Sequence, residues 1–451
     1  MVTILREERR TARMARLEEL FRKYPDVVRE TIVKADLQRE GVLVTEAAAD
    51  LGKGLIVKTY QLFSWDMSPI DKQVQSQPVR MPDMVYGFGG MYHLRRIAFR
   101  PRANVASPYL LDVMDGEPWI LDRGTRTPLV QLEQWNRGDQ EWYHKTFGNG
   151  YKFLEYTAHT SFRQCQYWGP EEECKFCDIN ENGRTKKQLG QVQSIQPRDP
   201  EEIAEVEWNR NYLHKEEVSY PKLGGKHGGY GGYGANVNGG TVVEGGHLRG
   251  MSDDIFYQRY SEALHARLGG RARISLQSSP HPLEIEKRLK AAGVNRRSSN
   301  FEVWDERMFN IISPGKARFI GRNEWIRRLI NQVDVFGVGH VDPGFVPGTE
   351  MAQPWGFKTV EEAVASTTAG MDFLMRHGVI LRPIHWCVES LSALGGQPEP
   401  PVDYFIQLDR NWYEIYQKYS LPPQAWNPIG TGRNMAHQNG GWDMEWVIVG
   451  R

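Results

Sequence analysis

The sequence predicts an α/β protein built around a partial (β/α)6 barrel. A mixed α+β N-terminal cap precedes it over residues 1–148, and an irregular C-terminal extension follows over 391–451. Three observations predict this arrangement. Between 149 and 390, strand-like and helix-like stretches alternate six times, the pattern of parallel strands joined by crossover helices. Six units fall short of the eight that close a barrel. At 451 residues the chain exceeds one ordinary core, which leaves room for appendages.

Residues 4–24 read as an amphipathic helix with Leu17, Leu20 and Phe21 on one face. Short strands and turns then alternate to about residue 145. The G-x-G-G of "MVYGFGGMYHL" (84–94) has no dinucleotide-type helix after it and reads as a turn. "GEPWILDRGTRTPLV" carries the Pro/Gly punctuation of β-hairpins.

The rhythm changes near residue 150. Strand "YKFLEYTAHTSF" runs into a cysteine-bearing loop, helix "PEEIAEVEWNRNYLH" follows, and strand "ANVNGGTVVEGG" comes next. Helix "DIFYQRYSEALHARL" leads to strand "RISLQSS", and helix "PLEIEKRLKAAG" leads to "RRSSNFEVW". Helix "RNEWIRRLINQVDVF" precedes "GHVDPGFVPGTE", and helix "VEEAVASTTAGMDFLMRHG" delivers the last strand, "VILRPIHWCV". The Trp-, Tyr- and Pro-rich remainder is expected to pack against or close the barrel.

Composition narrows the function. The chain is 40% hydrophobic and 25% charged, with 56 basic and 56 acidic residues, as in a soluble globular protein without a polyanion partner. No apolar run approaches a membrane span, and the charged start lacks a signal peptide's apolar stretch. A cytoplasmic chain is expected. Four cysteines in 451 residues are too few for a secreted disulfide scaffold.

Three of those four lie in "CQYWGPEEECKFC": Cys165, Cys174 and Cys177. The glutamates between them make the loop polar, which favours metal or redox chemistry over three buried thiols. The loop follows the first barrel strand, and functional groups of such folds gather at strand C-termini. A closed zinc site takes four ligands, and an electron-transfer [4Fe–4S] cluster normally takes four cysteines. Three cysteines leave one iron open to a substrate or cofactor. A zinc-stabilised binding module, with His247 as fourth ligand, is the alternative of another class.

A three-cysteine loop ending in C-x-aromatic-C (Cys174, Phe176, Cys177) after the first strand of a partial barrel resembles the radical S-adenosylmethionine (SAM) superfamily. The usual loop there is C-x3-C-x2-C, and this one is C-x8-C-x2-C. The resemblance implies that Cys165, Cys174 and Cys177 hold a [4Fe–4S] cluster. It also implies SAM contacts at Gly239, Gly240 and Thr241 after strand two, and at Ser299, Asn300 and Glu302 around strand four. A downstream basic residue would meet the SAM carboxylate: Lys316, Arg318 or Arg322, with Arg318 preferred. "GFVPGTE" (Gly344, Val346, Gly348, Glu350) would stand near the adenine, one residue short of the usual G-x-I-x-G-x-x-E. The order of these motifs is most similar to the biotin-synthase-related branch. The implied activity is reductive SAM cleavage, then radical chemistry on a small organic substrate in a biosynthetic pathway, with flavodoxin or ferredoxin as electron donor. A variant has the SAM-derived radical or a carbon group added to the substrate.

Cys387, in "RPIHWCVES", could contact the substrate, donate a hydrogen atom or form an adduct; a buried apolar-like thiol is the plainer reading. His385 would share its strand face and Trp386 would point away. The Gly-rich stretch 223–240 reads either as a lid carrying His227, Tyr230 and Tyr233 or as an unstructured insertion. Arg433 in "GTGRNMAH" could meet an anion but fits an exposed turn better, and Trp168 is expected to shield the cluster. With only Cys387 left over, a second cysteine-ligated cluster does not fit. No D-x-H-x-x-G cobalamin signature is present.

Overall fold

In the computed structural model the described residues are 16–51, 85–99, 101–133, 157–160, 171–178, 181, 199–208, 241–244, 252–272, 274–422, 441, 443 and 444. Residues 16–23 are helical, with Leu17 and Leu20 buried as expected. Next come α1 (Arg29–Glu40), β1 (Leu43–Val44), α2 (Glu46–Leu51), β2 (Val85–Gly89), β3 (Leu94–Phe99), β4 (Tyr109–Met114), β5 (Glu117–Asp122) and β6 (Pro128–Leu132). The strands form one sheet in the order β1-β4-β5-β6-β2-β3, antiparallel except for β1 beside β4. The G-x-G-G lies mostly in strand rather than in a turn: Gly87–Gly89 end β2 and only Gly90 enters the β2–β3 turn, where it has φ +68° and a Cβ would lie 1.9 Å from the Leu129 carbonyl oxygen. Asp115 and Gly116 close the β4–β5 hairpin, both with positive φ, as a two-residue turn of right-twisted strands requires.

Helix α1 is not visible in the sequence pattern, because it carries no apolar stripe. It is buried almost all round nonetheless, and its polar side chains find partners. Glu30 accepts from the Arg95 amide, Asp36 from the Tyr109 hydroxyl, and Lys34 pairs with Asp443 at 3.3 Å.

The barrel follows. Strands β7 (Thr157–Thr160), β8 (Thr241–Glu244), β9 (Ile274–Leu276) and β10 (Val294–Arg297) pair in parallel and in chain order. Strands β11 (Gly344–Phe345) and β12 (Arg382–Pro383) form a further parallel pair. Parallel bridges from Arg297 to Val341 and from Glu302 to Phe345 join the two sets. The crossovers carry helices α3 (Pro200–Trp208), α4 (Ser252–Leu268), α5 (Leu283–Ala291), α6 (Glu306–Ile312), α7 (Pro314–Phe319), α8 (Arg322–Phe336) and α9 (Val360–Arg376). Helix α8 buries Trp325, Ile326, Leu329 and Phe336 along one stripe, and α9 opens with a Thr359/Glu362 capping box.

Past residue 390 the chain is not wholly irregular. A 17-residue helix, α10 (Val402–Lys418), buries Tyr404, Phe405, Leu408, Trp412 and Ile415. It packs on α9 and α1, and the Trp412 indole donates to the Leu381 carbonyl at 2.9 Å. Among the described residues no helix is long and apolar enough to cross a membrane.

Candidate functional site

Side-chain alternation along β10 and its continuation sorts residues onto two faces. Arg297 reaches the α5 carboxylate of Glu286 (2.8 Å), and Ser299 Oγ accepts from Gln332 of α8 (3.1 Å). Both therefore face the helix layer. Arg296, Ser298 and Asn300 point the other way, towards neighbouring strands. Arg296 pairs with Asp342, Ser298 accepts from Arg382 Nη2 (2.9 Å), and Asn300 Oδ1 accepts from the Gly344 amide (2.8 Å). This inner face is polar where a filled barrel core would be apolar. Of the serine pair, Ser299, expected at the ligand, faces the helix layer, and Ser298 shares the face of Asn300.

Beyond Asn300 the chain bends through Glu302, at φ +78°. Glu302 pairs with Lys316, a buried lysine whose Nζ also donates to the Asn300 carbonyl at 2.8 Å. Of the three basic residues proposed for this region, Lys316 meets the Asn300–Glu302 segment. Arg318 is largely exposed and pairs with Glu172 at 3.2 Å, and Arg322 donates to the Trp304 carbonyl.

The cysteine loop is fastened to the same place. The Lys175 amide donates to the Ile312 carbonyl (2.8 Å), and the Gly315 amide donates to the Glu172 carbonyl (3.1 Å). On its other side, the Leu394 amide donates to the Lys175 carbonyl at 3.1 Å. Between these anchors the Cys177 amide closes a tight turn on the Cys174 carbonyl (3.0 Å), which holds the two thiol-bearing residues close together. Both cysteines are half-buried, and Phe176 packs against the core. Two thiols on one tight turn suit iron or zinc equally well as a donor set. Cys165 and Trp168 lie outside the described residues, as do Gly239, Gly240, His247, Arg433 and the 223–240 stretch. Thr241 is the first residue of β8, in register with Thr157 and Ile274.

The "GFVPGTE" segment adds a close approach. A Cβ on Gly344 would lie 2.8 Å from Asn300 Oδ1, so the backbone there must be bare. Val346 is buried. Gly348 adopts φ +105°, and its amide donates to Glu350 Oε2 at 2.8 Å. Glu350 is itself buried and also accepts from Thr367 of α9 and Tyr404 of α10. Burial pushes its carboxyl up from the ordinary value of 4.5. Glu350 braces the turn from behind.

The β12 ladder stays regular past its two assigned residues. Arg382, Ile384 and Trp386 donate in turn to the carbonyls of Pro343, Phe345 and Pro347, so Arg382, Ile384 and Trp386 share the inner face. His385 points to the helix layer, where its Nε2 meets Asp409 at 3.1 Å and its ring stacks on Phe405. Cys387, half-buried, lies beside the Arg102 guanidinium, which reaches the Val388 carbonyl and pairs with Glu399 at 3.1 Å.

No protein-family model matches the chain, and no curated protein matches it. Among solved structures, these two are similar in part. One is coproporphyrinogen III oxidase (HemN) from Escherichia coli, described as a radical SAM enzyme, at 14% identity and a TM-score of 0.29; the likeness covers 40% of each chain. The other is methylornithine synthase (PylB), at 12% identity and a TM-score of 0.37, covering 62% of this chain and 67% of that one. The chain thus spans under half the length of the first of these.

Proposed function

We propose that this chain is a radical SAM enzyme acting on a small organic substrate in a biosynthetic pathway, in the manner of the biotin-synthase-related branch. One observation supports the reading above the others: the cysteine loop, through Lys175 of the C-x-x-C and Glu172 just before it, is hydrogen-bonded to Ile312 and Gly315 at the α6–α7 junction, four residues or fewer from Lys316. Cys174 and Cys177, expected to hold a cluster, are thereby tied through the α6–α7 junction to the Asn300–Glu302 segment, expected to hold SAM. Cys174 and Cys177, with Cys165, would hold a [4Fe–4S] cluster. Lys316 and Asn300 would orient SAM, and the bare backbone at Gly344, Val346 and Gly348 would admit its adenine. When bound, the pair supplies one-electron cleavage of a carbon–sulfur bond, with the electron delivered by flavodoxin or ferredoxin. The chain's own contribution is positional: it fixes the turn, holds a buried ammonium beside Asn300, and closes the site with the extension through Leu394.

Anaerobic iron–sulfide reconstitution, followed by dithionite and SAM, tests this. Methionine and 5′-deoxyadenosine, both lost on Cys174→Ala, are the expected products. A different SAM-derived product would keep the cluster and change the bond broken. Tightly bound zinc without a cluster or SAM turnover would overturn the reading in favour of a structural metal site.

A further inference from the structure

Five lysines and arginines among the described residues are buried: Lys34, Arg102, Arg297, Lys316 and Arg382. Four have a carboxylate within ion-pair distance: Asp443, Glu399, Glu286 and Glu302 respectively. That is the rule for buried charge, because an uncompensated ion in a low-dielectric interior is expensive. Arg382 departs from it. The residue is 7% exposed, and its described partner is a neutral hydroxyl, Ser298 Oγ at 2.9 Å; its Nε–H has no hydrogen-bond partner among the described residues. Asp342, two residues before β11, is engaged on both oxygens by Arg296. Arg382 stands on the inner face at the level of Gly344, with Ile384 and Trp386 beyond it. Trp386 also lacks a partner for its indole N–H among the described residues.

We infer that Arg382 anchors an anionic group, a carboxylate, of the small molecule the barrel holds. A guanidinium with an unmet Nε–H and one arm pinned by Ser298 presents the fork that a carboxylate fills with two parallel hydrogen bonds. Ile384 and the Trp386 ring supply an apolar wall above it for the rest of the molecule. The inference rests on the function proposed above only in making that molecule a substrate; the anion site itself needs neither cluster nor SAM.

The test uses the full chain without reconstitution or SAM, and reads thermal shift against acetate, glutarate and L-glutamate with acetamide and glutaramide as neutral counterparts. Saturable stabilisation by the carboxylates over the amides, abolished in Arg382→Gln, is expected. Equal shifts for acids and amides, or shifts that survive the substitution, would overturn the inference. A second readout is the unliganded protein. Removing an uncompensated buried charge should raise the midpoint of Arg382→Gln by about 2–4 °C; a fall would make Arg382 a structural residue and overturn the site. Equilibrium dialysis of SAM on the reconstituted protein separates the two sources of carboxylate. Unchanged SAM binding in Arg382→Gln is expected, and its loss would assign Arg382 to SAM's own carboxylate. Absence of SAM binding in the wild type would sink the proposed function and leave the carboxylate result standing.

Discussion

At Lys316 an ammonium is buried against Glu302, the Asn300 carbonyl and the face of Trp325. Taking away one member of such a pair strands the other charge, at a cost of about 3–5 kcal/mol. Lys316→Met should therefore destabilise the chain by about that much in urea denaturation, and Lys316→Met combined with Glu302→Gln should recover most of the loss. Independent, additive losses would mean that the pair is not coupled. Glu350 makes a prediction of opposite character, because burial raises its folded value above the ordinary 4.5. The folded chain then holds a proton that the unfolded chain releases. The stability this supplies is complete below the ordinary value and is lost as pH rises through the folded one. Glu350→Gln cannot ionise, so urea midpoints from about pH 4 to 8 should show the wild type losing ground to the variant as pH rises. Parallel curves would place the folded value at the ordinary one.

The turn from Gly344 to Glu350 shows what a single element contributes. Gly348 sits at φ +105°, and a Cβ there would lie 2.8 Å from Pro400 Cγ. Gly348→Ala adds left-handed strain to that contact, so a loss of about 1–3 kcal/mol is expected, together with weaker SAM binding if the turn borders the adenine. A variant as stable as wild type would show that the turn relaxes freely. The glycines of this segment were legible in the sequence, and so were α5, α8 and α9, whose apolar residues recur at helical spacing. Helix α1 was not, because Glu30, Lys34, Asp36 and Gln38 are buried by virtue of partners distant in the chain. Helix α10 was hidden by its Trp and Tyr content, which reads as irregular packing until the positions of Tyr404, Leu408 and Trp412 are aligned on one face. That Ser299 faces the helix layer was missed for a smaller reason. A one-residue error in strand parity exchanges the barrel interior for the helix layer.

Across the whole molecule, buried and half-buried side chains link the cap to the extension. Helix α10 lies against both α9 and α1. Tyr24 near the N-terminus donates to Asp403 of α10, Arg102 of the cap pairs with Glu399 of the extension, and Lys34 pairs with Asp443 near the far end. Each of these contacts spans roughly three hundred residues or more of sequence, so none was legible from local pattern. They give the extension a structural role. Deleting residues 391–451 would remove the Trp412 bond to the Leu381 carbonyl, expose the apolar face of α9, and take Asp443 from Lys34 and Glu399 from Arg102. Calorimetry of the full chain should therefore show one cooperative transition. The truncated chain should unfold at a much lower temperature or lose its cooperative transition altogether. Trp412→Ala isolates the packing share and should cost about 3–5 kcal/mol. Two separate transitions in the full chain, with one of them unmoved by the truncation, would show that the cap folds without the extension and that these pairs do not bind the molecule into a single unit.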